Sequence, residues 1–377
     1  MGERFRTRAL VVGRALARRA MPRRGDGAIR RVLVAHNLLL GDTVMLTPLV
    51  AKLRAAHPDA EITLLATPSA VPLYAGRPYG VRALPFAPAS SATTRALLRE
   101  PPQDLAIVAG DNRYSWLAAA MGAPHIVAHD GARNWRRDWF VDERRAYAST
   151  PGAWGDMVAA LVDGPEPAPY ARGDWPAPPA APFALPASPY AVLHVGASTP
   201  LKRWEPARWR ELALALAERG LRVAWSAGRG EEALVAACDP EARFESFAGR
   251  LDLAQLWRLF AHASLVVSPD TGAAHVARAA WAPTVVLFGP GSSTVVGAGR
   301  FWRDTPWRAV TVEPFPCRDQ QVLFGRHVEW VRRCGRSTRE CAEPRCMQAI
   351  GIREVLAAVD SLQAGGTPPA LEGSRNT

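Results

Sequence analysis

The chain has 377 residues, 48% of them hydrophobic and 21% charged, with a formal net charge of +11. This is enough apolar material for about two domains with sizeable cores. It excludes a disordered chain, a collagen and a disulfide-stapled miniprotein, and no apolar run approaches the ~20 residues of a bilayer span. The positive balance calls for a polyanionic partner: nucleic acid, an anionic membrane or a phosphorylated substrate.

The charge is concentrated at the start, where residues 1–31 carry ten arginines (Arg4, Arg6, Arg8, Arg14, Arg18, Arg19, Arg23, Arg24, Arg30 and Arg31) against Glu3 and Asp26. Leu10, Val11, Ala15, Leu16 and Ala17 interleave with them, and Pro22 would end a helix. A basic amphipathic arm over 1–30 lies on anionic lipid; a solvated arm and a nucleic-acid-binding arm are the other readings. Arg14 interrupts the apolar core of about 7–15 residues that a cleavable signal needs. The expectation is therefore a cytoplasmic protein, peripheral at the inner face of the cytoplasmic membrane.

After the arm, Arg31–Ala35 is a short run rich in β-branched residues and reads as a buried parallel strand. Leu38–Thr43 reads as a loop. A helix then extends to Ala56, either capped by Thr47 with Pro48 first, or starting at Asp42 and kinked. Glu61–Ala66 and Leu105–Ala109 are further strands, and such alternation implies parallel βαβ units. Nine of the 33 prolines fall between Asp163 and Pro189, which reads as an extended linker and a hinge candidate. Alternation restarts with Tyr190–Val195, a helix over Pro206–Arg219 closed by Gly220, and strands at Leu221–Ser226, Leu265–Ser268 and Pro283–Phe288. The expected organisation is an arm (1–30), two α/β domains (31–163 and 190–362) flanking the linker (164–189), and a disordered tail (363–377). Two such domains leave a cleft between the carboxyl ends of their strands.

The residues suited to chemistry sit in the loops after strands. Asp42 follows the first strand and suits a general base, or else an N-cap. Lys202 follows the strand at 190–195 by way of Ser198 and Thr199; it suits a point charge for phosphate, or a solvated surface. The run Ser268-Pro269-Asp270-Thr271-Gly272-Ala273-Ala274-His275 turns a strand into a helix whose free amides can cradle a diphosphate. The other reading is Asp270 capping an ordinary helix over a buried His275. Phe288-Gly289-Pro290-Gly291 follows the next strand.

In order and placement these elements resemble glycosyltransferase family 9, the lipopolysaccharide heptosyltransferases. The resemblance runs from about Arg31 to Leu362 and rests on five segments: Gly41-Asp42 with Thr47-Pro48; His194 to Ala197 through Lys202-Arg203-Trp204; Gly228-Arg229-Gly230-Glu231; Asp270-Thr271-Gly272 with His275; and Phe288-Gly289-Pro290. It implies a GT-B fold and inverting transfer of a heptose from ADP-heptose to a lipid-linked or glycan acceptor. By position, Asp42 is similar to the catalytic base, and Lys202, with Ser198 and Thr199 nearby, to the contact for the donor phosphates. Glu231 (or its neighbour Glu232) resembles the ribose contact and Leu251 part of the adenine pocket. Asp270, Thr271, Gly272 and His275 resemble the diphosphate and heptose contacts. No Asp-x-Asp pair flanked by an apolar run is present, so catalysis is expected to need no cofactor and no divalent ion.

Four of the five cysteines, Cys317, Cys334, Cys341 and Cys346, fall within thirty residues. In a cytoplasmic protein this points to structural Zn or Fe before a disulfide, although no Cys-x-x-Cys pair is present and reduced thiols are the other reading. Arg133, Arg136 and Arg137, interleaved with Trp135 and Trp139, suit phosphates or carboxylates on an acceptor, or form a solvated basic loop. Leu38-Leu39-Leu40 stands where relatives often carry a polar or basic loop. The rival functions are transfer to a protein or another glycan, a sugar-nucleotide epimerase, and a nucleic-acid-binding protein. The last is disfavoured because the charge sits in one arm and no recognition helix or zinc finger appears.

Overall fold

In a computed structural model the described residues are 2–19, 27–132 and 134–364. Pro22, Arg23, Arg24, Arg133 and most of the tail lie outside them. The first half contains α1 (Glu3–Arg19), β1 (Arg31–Ala35), α2 (Leu40–Val44), α3 (Thr47–Ala56), β2 (Glu61–Ala66), β3 (Arg82–Pro85), α4 (Ser91–Leu97), β4 (Leu105–Val108), α5 (Ser115–Ala120), β5 (His125–His129), β6 (Glu143–Arg145) and α6 (Trp154–Ala159). Its six strands are parallel, in the order β3-β2-β1-β4-β5-β6. After Arg31, β1 is apolar and buried, as a strand covered on both faces must be.

The second half contains β7 (Tyr190–His194), α7 (Pro206–Glu218), β8 (Arg222–Ser226), α8 (Glu232–Cys238), β9 (Glu245–Ser246), α9 (Leu253–Ala261), β10 (Leu265–Pro269), α10 (Gly272–Ala279), β11 (Thr284–Phe288), α11 (Ser293–Val296), β12 (Trp307–Thr311), β13 (Val322–Leu323), β14 (Arg326–His327), α12 (Arg345–Gln348) and α13 (Ile352–Ala364). Its main sheet runs β12-β11-β10-β7-β8-β9, the topology of the first half repeated. Local signals place these helices. α7 starts on Pro206, buries Trp209, Leu212, Ala213 and Leu216 on one stripe, and is followed by Gly220 with φ of +84°. α9 is opened by a capping box between Asp252 and Gln255.

In each sheet the chain reverses direction between the first and fourth strands, β1/β4 and β7/β10, and such switch points open a crevice at the carboxyl ends. The segment 164–189 is irregular, as its prolines require, yet it is not loose. Tyr170 and Trp175 are buried, Trp175 Nε1 donates to the Leu73 carbonyl at 3.0 Å, and the Tyr170 hydroxyl donates to the Ala279 carbonyl. The linker is thus a belt seated on both halves.

Two sequence expectations change. The N-terminal helix does not stand off as an arm. Ala15 is fully buried among Leu97, Leu117 and Ala118, and both the amide and the hydroxyl of Ser91 donate to Glu3 at 3.0 Å. The segment after β1 follows neither alternative fully. A short helix already spans Leu40–Val44, breaks at Met45–Leu46, and restarts with Thr47 and Pro48 in the first turn of α3, where the Thr47 hydroxyl donates back to the Val44 carbonyl. Asp42 therefore lies in a helical turn rather than a loop.

Candidate active site

The carboxyl ends of the two sheets face each other, and the residues after β1, β7 and β10 meet there. α2 abuts the start of α10. A Cβ added at Gly41 would stand 2.8 Å from His275 Cδ2, and one at Gly272 would stand 3.0 Å from Leu40. Only glycines allow this approach, because a real Cβ would push the two halves apart.

On the second half, Thr271 occupies the N-cap of α10 without a side-chain cap bond, which leaves the first amides of the helix open. Asp270, directly before it, is buried and does not cap. Its carboxylate takes the Lys202 ammonium at 2.7 Å, and Lys202 also donates to the Asp270 carbonyl at 2.8 Å. Lys202 is reached through a single turn, Pro200–Lys202, capped by the Thr199 hydroxyl; Ser198 is exposed beside it. Glu231, after β8, ties two loops together by accepting from the Gly228 amide at 2.9 Å and the Ala197 amide at 3.1 Å. Glu232 instead accepts from the Gly230 amide at 3.1 Å, and its own backbone amide together with that of Gly230 holds its carboxyl below the usual range. Leu251 is half-buried after β9.

Asp42 faces this group from the first half. Burial pushes its carboxyl up to about 6; the like charge of Asp270 adds to the rise, while Lys202 and Arg333 oppose it. A carboxylate poised there can accept a proton near neutral pH. His275 is buried and held well below its ordinary value, first by burial and then by Arg278 and Lys202, so its imidazole is neutral.

Two arginines in this region escape the sequence reading. Arg278, one turn past His275 on α10, is buried, lies 3.5 Å from the Trp307 ring centroid, and donates to the Gly297 carbonyl at 3.0 Å. Arg333 belongs to a strap between β12 and α12 that crosses from the second half to the first. Arg326 of this strap is buried and donates to the Gly110, Asp130 and His129 carbonyls at 2.6, 2.6 and 3.1 Å. Phe324 lies 4.5 Å from Trp154 between centroids, and Trp330 donates to the Ala148 carbonyl at 2.9 Å. The strap returns to the second half where the Cys334 amide donates to the Pro290 carbonyl at 2.9 Å.

The family model for glycosyltransferase family 9 (heptosyltransferase) matches residues 95–309. Lipopolysaccharide heptosyltransferase 1 of Pseudomonas aeruginosa is 30% identical over 306 residues, covering 71% of this chain and 81% of the relative. This chain belongs to glycosyltransferase family 9. Among solved structures, Escherichia coli heptosyltransferase WaaC with ADP matches at a TM-score of 0.64 and 18% identity, covering 88% of this chain and 99% of that one. The iron-containing dodecameric glycosyltransferase TibC of enterotoxigenic E. coli matches at 0.55 and 16% identity, covering 89% of this chain and 77% of that one. The fold of this family 9 member is GT-B: two Rossmann-like domains across a cleft.

The four C-terminal cysteines of this transferase gather in one region without forming a ligand set. The thiols of Cys317 and Cys346 are both raised, first by burial, and each also senses Cys334. Yet Arg336 donates to Cys334 Sγ at 3.9 Å, Cys341 donates to the Glu343 carbonyl at 3.3 Å, and Cys346 is buried beside Gly289. Among the described residues no group of three or more His, Cys, Asp or Glu is disposed to hold a metal ion. As placed, the thiols do not fit the expected Zn or Fe site. Trp135, Arg136, Arg137 and Trp139 stay on the surface, with Trp135 and Trp139 65% and 44% exposed.

Proposed function

We propose that this chain transfers a heptosyl group, with inversion, from ADP-heptose to a hydroxyl of a lipopolysaccharide core or similar glycan. The observation that carries the reading is the meeting of Asp42 with Asp270, Lys202 and the open start of α10 across the switch-point crevice. The solved relative with ADP supports the adenine nucleotide, and the family favours transfer over epimerisation.

The donor lies along the carboxyl edge of the second sheet. Neighbouring strands are ~4.8 Å apart, so the loops after β10, β7, β8 and β9 span about 14 Å. Taken in that order they offer open amides with Lys202, then Glu231, then Leu251. A diphosphate, a ribose and an adenine succeed one another in the same order. Thr271 and Gly272 present amides to the diphosphate, Ser198 and Thr199 flank it, His275 lies under the sugar, and Lys202 exchanges Asp270 for a phosphate oxygen. Asp42 takes the proton of the acceptor hydroxyl as that oxygen attacks the anomeric carbon. The bond from this carbon to the diphosphate oxygen breaks, ADP leaves, and one displacement inverts the centre. The charge growing on the leaving group is met by Lys202 and the α10 amides, without a divalent ion.

No helix among the described residues is long and apolar enough to cross a membrane. The basic α1 gives peripheral attachment at the inner face of the cytoplasmic membrane, where a lipid-linked acceptor would be met. Incubation with ADP-heptose, and separately with UDP- and GDP-sugars, against a panel of core acceptors and read by mass spectrometry tests the reading. A heptosyl adduct from ADP-heptose alone is expected; product from another donor only would overturn it.

A further inference from the structure

α1 docks through Thr7, Val11 and Ala15, and its remaining faces stay open. Of eight large hydrophobic side chains exposed among the described residues, four lie on this helix: Phe5, Leu10, Val12 and Leu16. Two more, Trp135 and Trp139, sit on a turn linked to the same region, because Trp139 packs at 5.8 Å on Trp116 of α5, the helix that α1 covers. An exposed apolar patch needs an apolar partner, and a nucleic acid offers none to this face.

A groove of about 460 Å³ runs between α1 and α4, within the range of small-ligand sites, and none of its lining belongs to the active site. Its floor includes Leu10, Gly13 and Leu98, and three arginines stand around it: Arg14 from α1, and Arg95 and Arg99 from α4 and its end. None of the three guanidinium groups has a hydrogen bond or ion pair among the described residues. Glu3 is engaged by Ser91 and also senses the charge of Arg95, without an ion pair to any of the three. Arg95 in the last turn of α4, with Arg99 just beyond it, suits the helix dipole, but that does not explain Arg14 beside them on an apolar floor.

We propose that the α1–α4 groove binds one anionic phospholipid, its phosphodiester among Arg14, Arg95 and Arg99 and an acyl chain along Leu10, Gly13 and Leu98. Guanidinium forks match phosphate oxygens, and the apolar floor matches hydrocarbon. The proposal rests on the membrane-attachment part of the reading above and is independent of the transfer chemistry. It makes the attachment a site rather than a diffuse charge.

The test uses the full chain and three probes: phosphatidylcholine vesicles with and without phosphatidylglycerol, short-chain phosphatidylglycerol below its micelle concentration, and glycerol phosphate. The groove variant R14A/R95A/R99A is compared with R4A/R6A/R8A, which removes three arginines from the same helix outside the groove, and ADP affinity checks the fold of both. The expected result is saturable binding of one short-chain lipid per chain, at least about tenfold weaker in the groove variant. R4A/R6A/R8A should retain that binding, and glycerol phosphate should not bind. Equal losses in both variants, or no saturable lipid binding while anionic vesicles are still bound, would overturn the groove and leave membrane attachment standing. Wild-type chain without preference for anionic vesicles would overturn both.

Discussion

Gly41 and His275 touch across the interdomain crevice, with room at position 41 for a hydrogen and nothing larger: a Cβ there would lie 2.8 Å from the imidazole Cδ2. This contact sets where Asp42, the next residue, stands relative to α10. Gly41→Ala must therefore displace the α2 turn or the buried His275 ring by several tenths of an ångström. Transfer is expected to fall by up to about a hundredfold, the cost of a misplacement near 1 Å, while ADP affinity changes little because the proposed ADP contacts lie on the other half. Steady-state kinetics beside calorimetry checks this; unchanged turnover would show that the approach of the halves does not position the base.

The pH dependence follows from the charges around Asp42. Its carboxyl, raised to about 6, must be ionised to accept a proton. kcat/KM should rise tenfold per pH unit below about 6 and level off above it. Lys202 and Arg333 hold that value down, so Arg333→Ala should move the rising limb to higher pH. A limb that stays in place, or moves down, would remove Arg333 from the vicinity of the base.

The same raised value weakens the fold. Below about pH 4 Asp42 is protonated both folded and unfolded; between about 4 and 6 the folded chain alone holds the proton, and stability drops as pH rises. A rise from 3.8 to about 6 corresponds to up to about 3 kcal/mol at neutral pH, less for a half-buried group. Asp42→Asn is expected to be more stable than wild type at neutral pH and equal to it near pH 3. Urea titrations at both values decide.

Much of this was legible in the chain before any coordinates. Buried strands such as Val32–Ala35 announce themselves as β-branched runs, and Asp42, Lys202 and Asp270 stand after strands, where a doubly wound sheet opens its crevice. The break at Met45–Leu46 was legible only in part: Pro48 has no amide for the Val44 carbonyl, which the Thr47 hydroxyl takes instead, but the sequence left open where the first helical turn begins. The strap was not legible. Residues 313–344 have no periodicity, and Arg326 finds its partners more than 190 residues away in sequence. Nor does spacing reveal that Ala15 is buried, which turns an expected arm into a packed helix. The cysteines are a suggestive spacing whose thiols gather in one region, where Cys334 and Cys341 also engage Arg336 and the Glu343 carbonyl.

Because Arg326 is buried and donates to three carbonyls of the first half, Arg326→Ala would remove the side-chain donor of the Gly110 and Asp130 carbonyls and leave the His129 carbonyl with Asn112 alone. A loss of about 2–4 kcal/mol is expected, with weakened coupling between halves and a broader or two-step urea transition. A variant as stable and as cooperative as wild type would show that the strap joins nothing.

In the proposed reaction Lys202 and the α10 amides meet the leaving diphosphate, so transfer should persist at an unchanged rate in excess EDTA. A rate that collapses and returns with Mg²⁺ or Mn²⁺ would contradict this electrostatic account.

The most direct measurement is heptosyl transfer by Asp42→Asn and Asp42→Ala, alongside their affinity for ADP. With the proton acceptor gone and the donor side intact, turnover should fall about 10²- to 10⁴-fold at unchanged ADP affinity. Turnover near wild type in either variant, with ADP still bound normally, would contradict the assignment of Asp42 as the base.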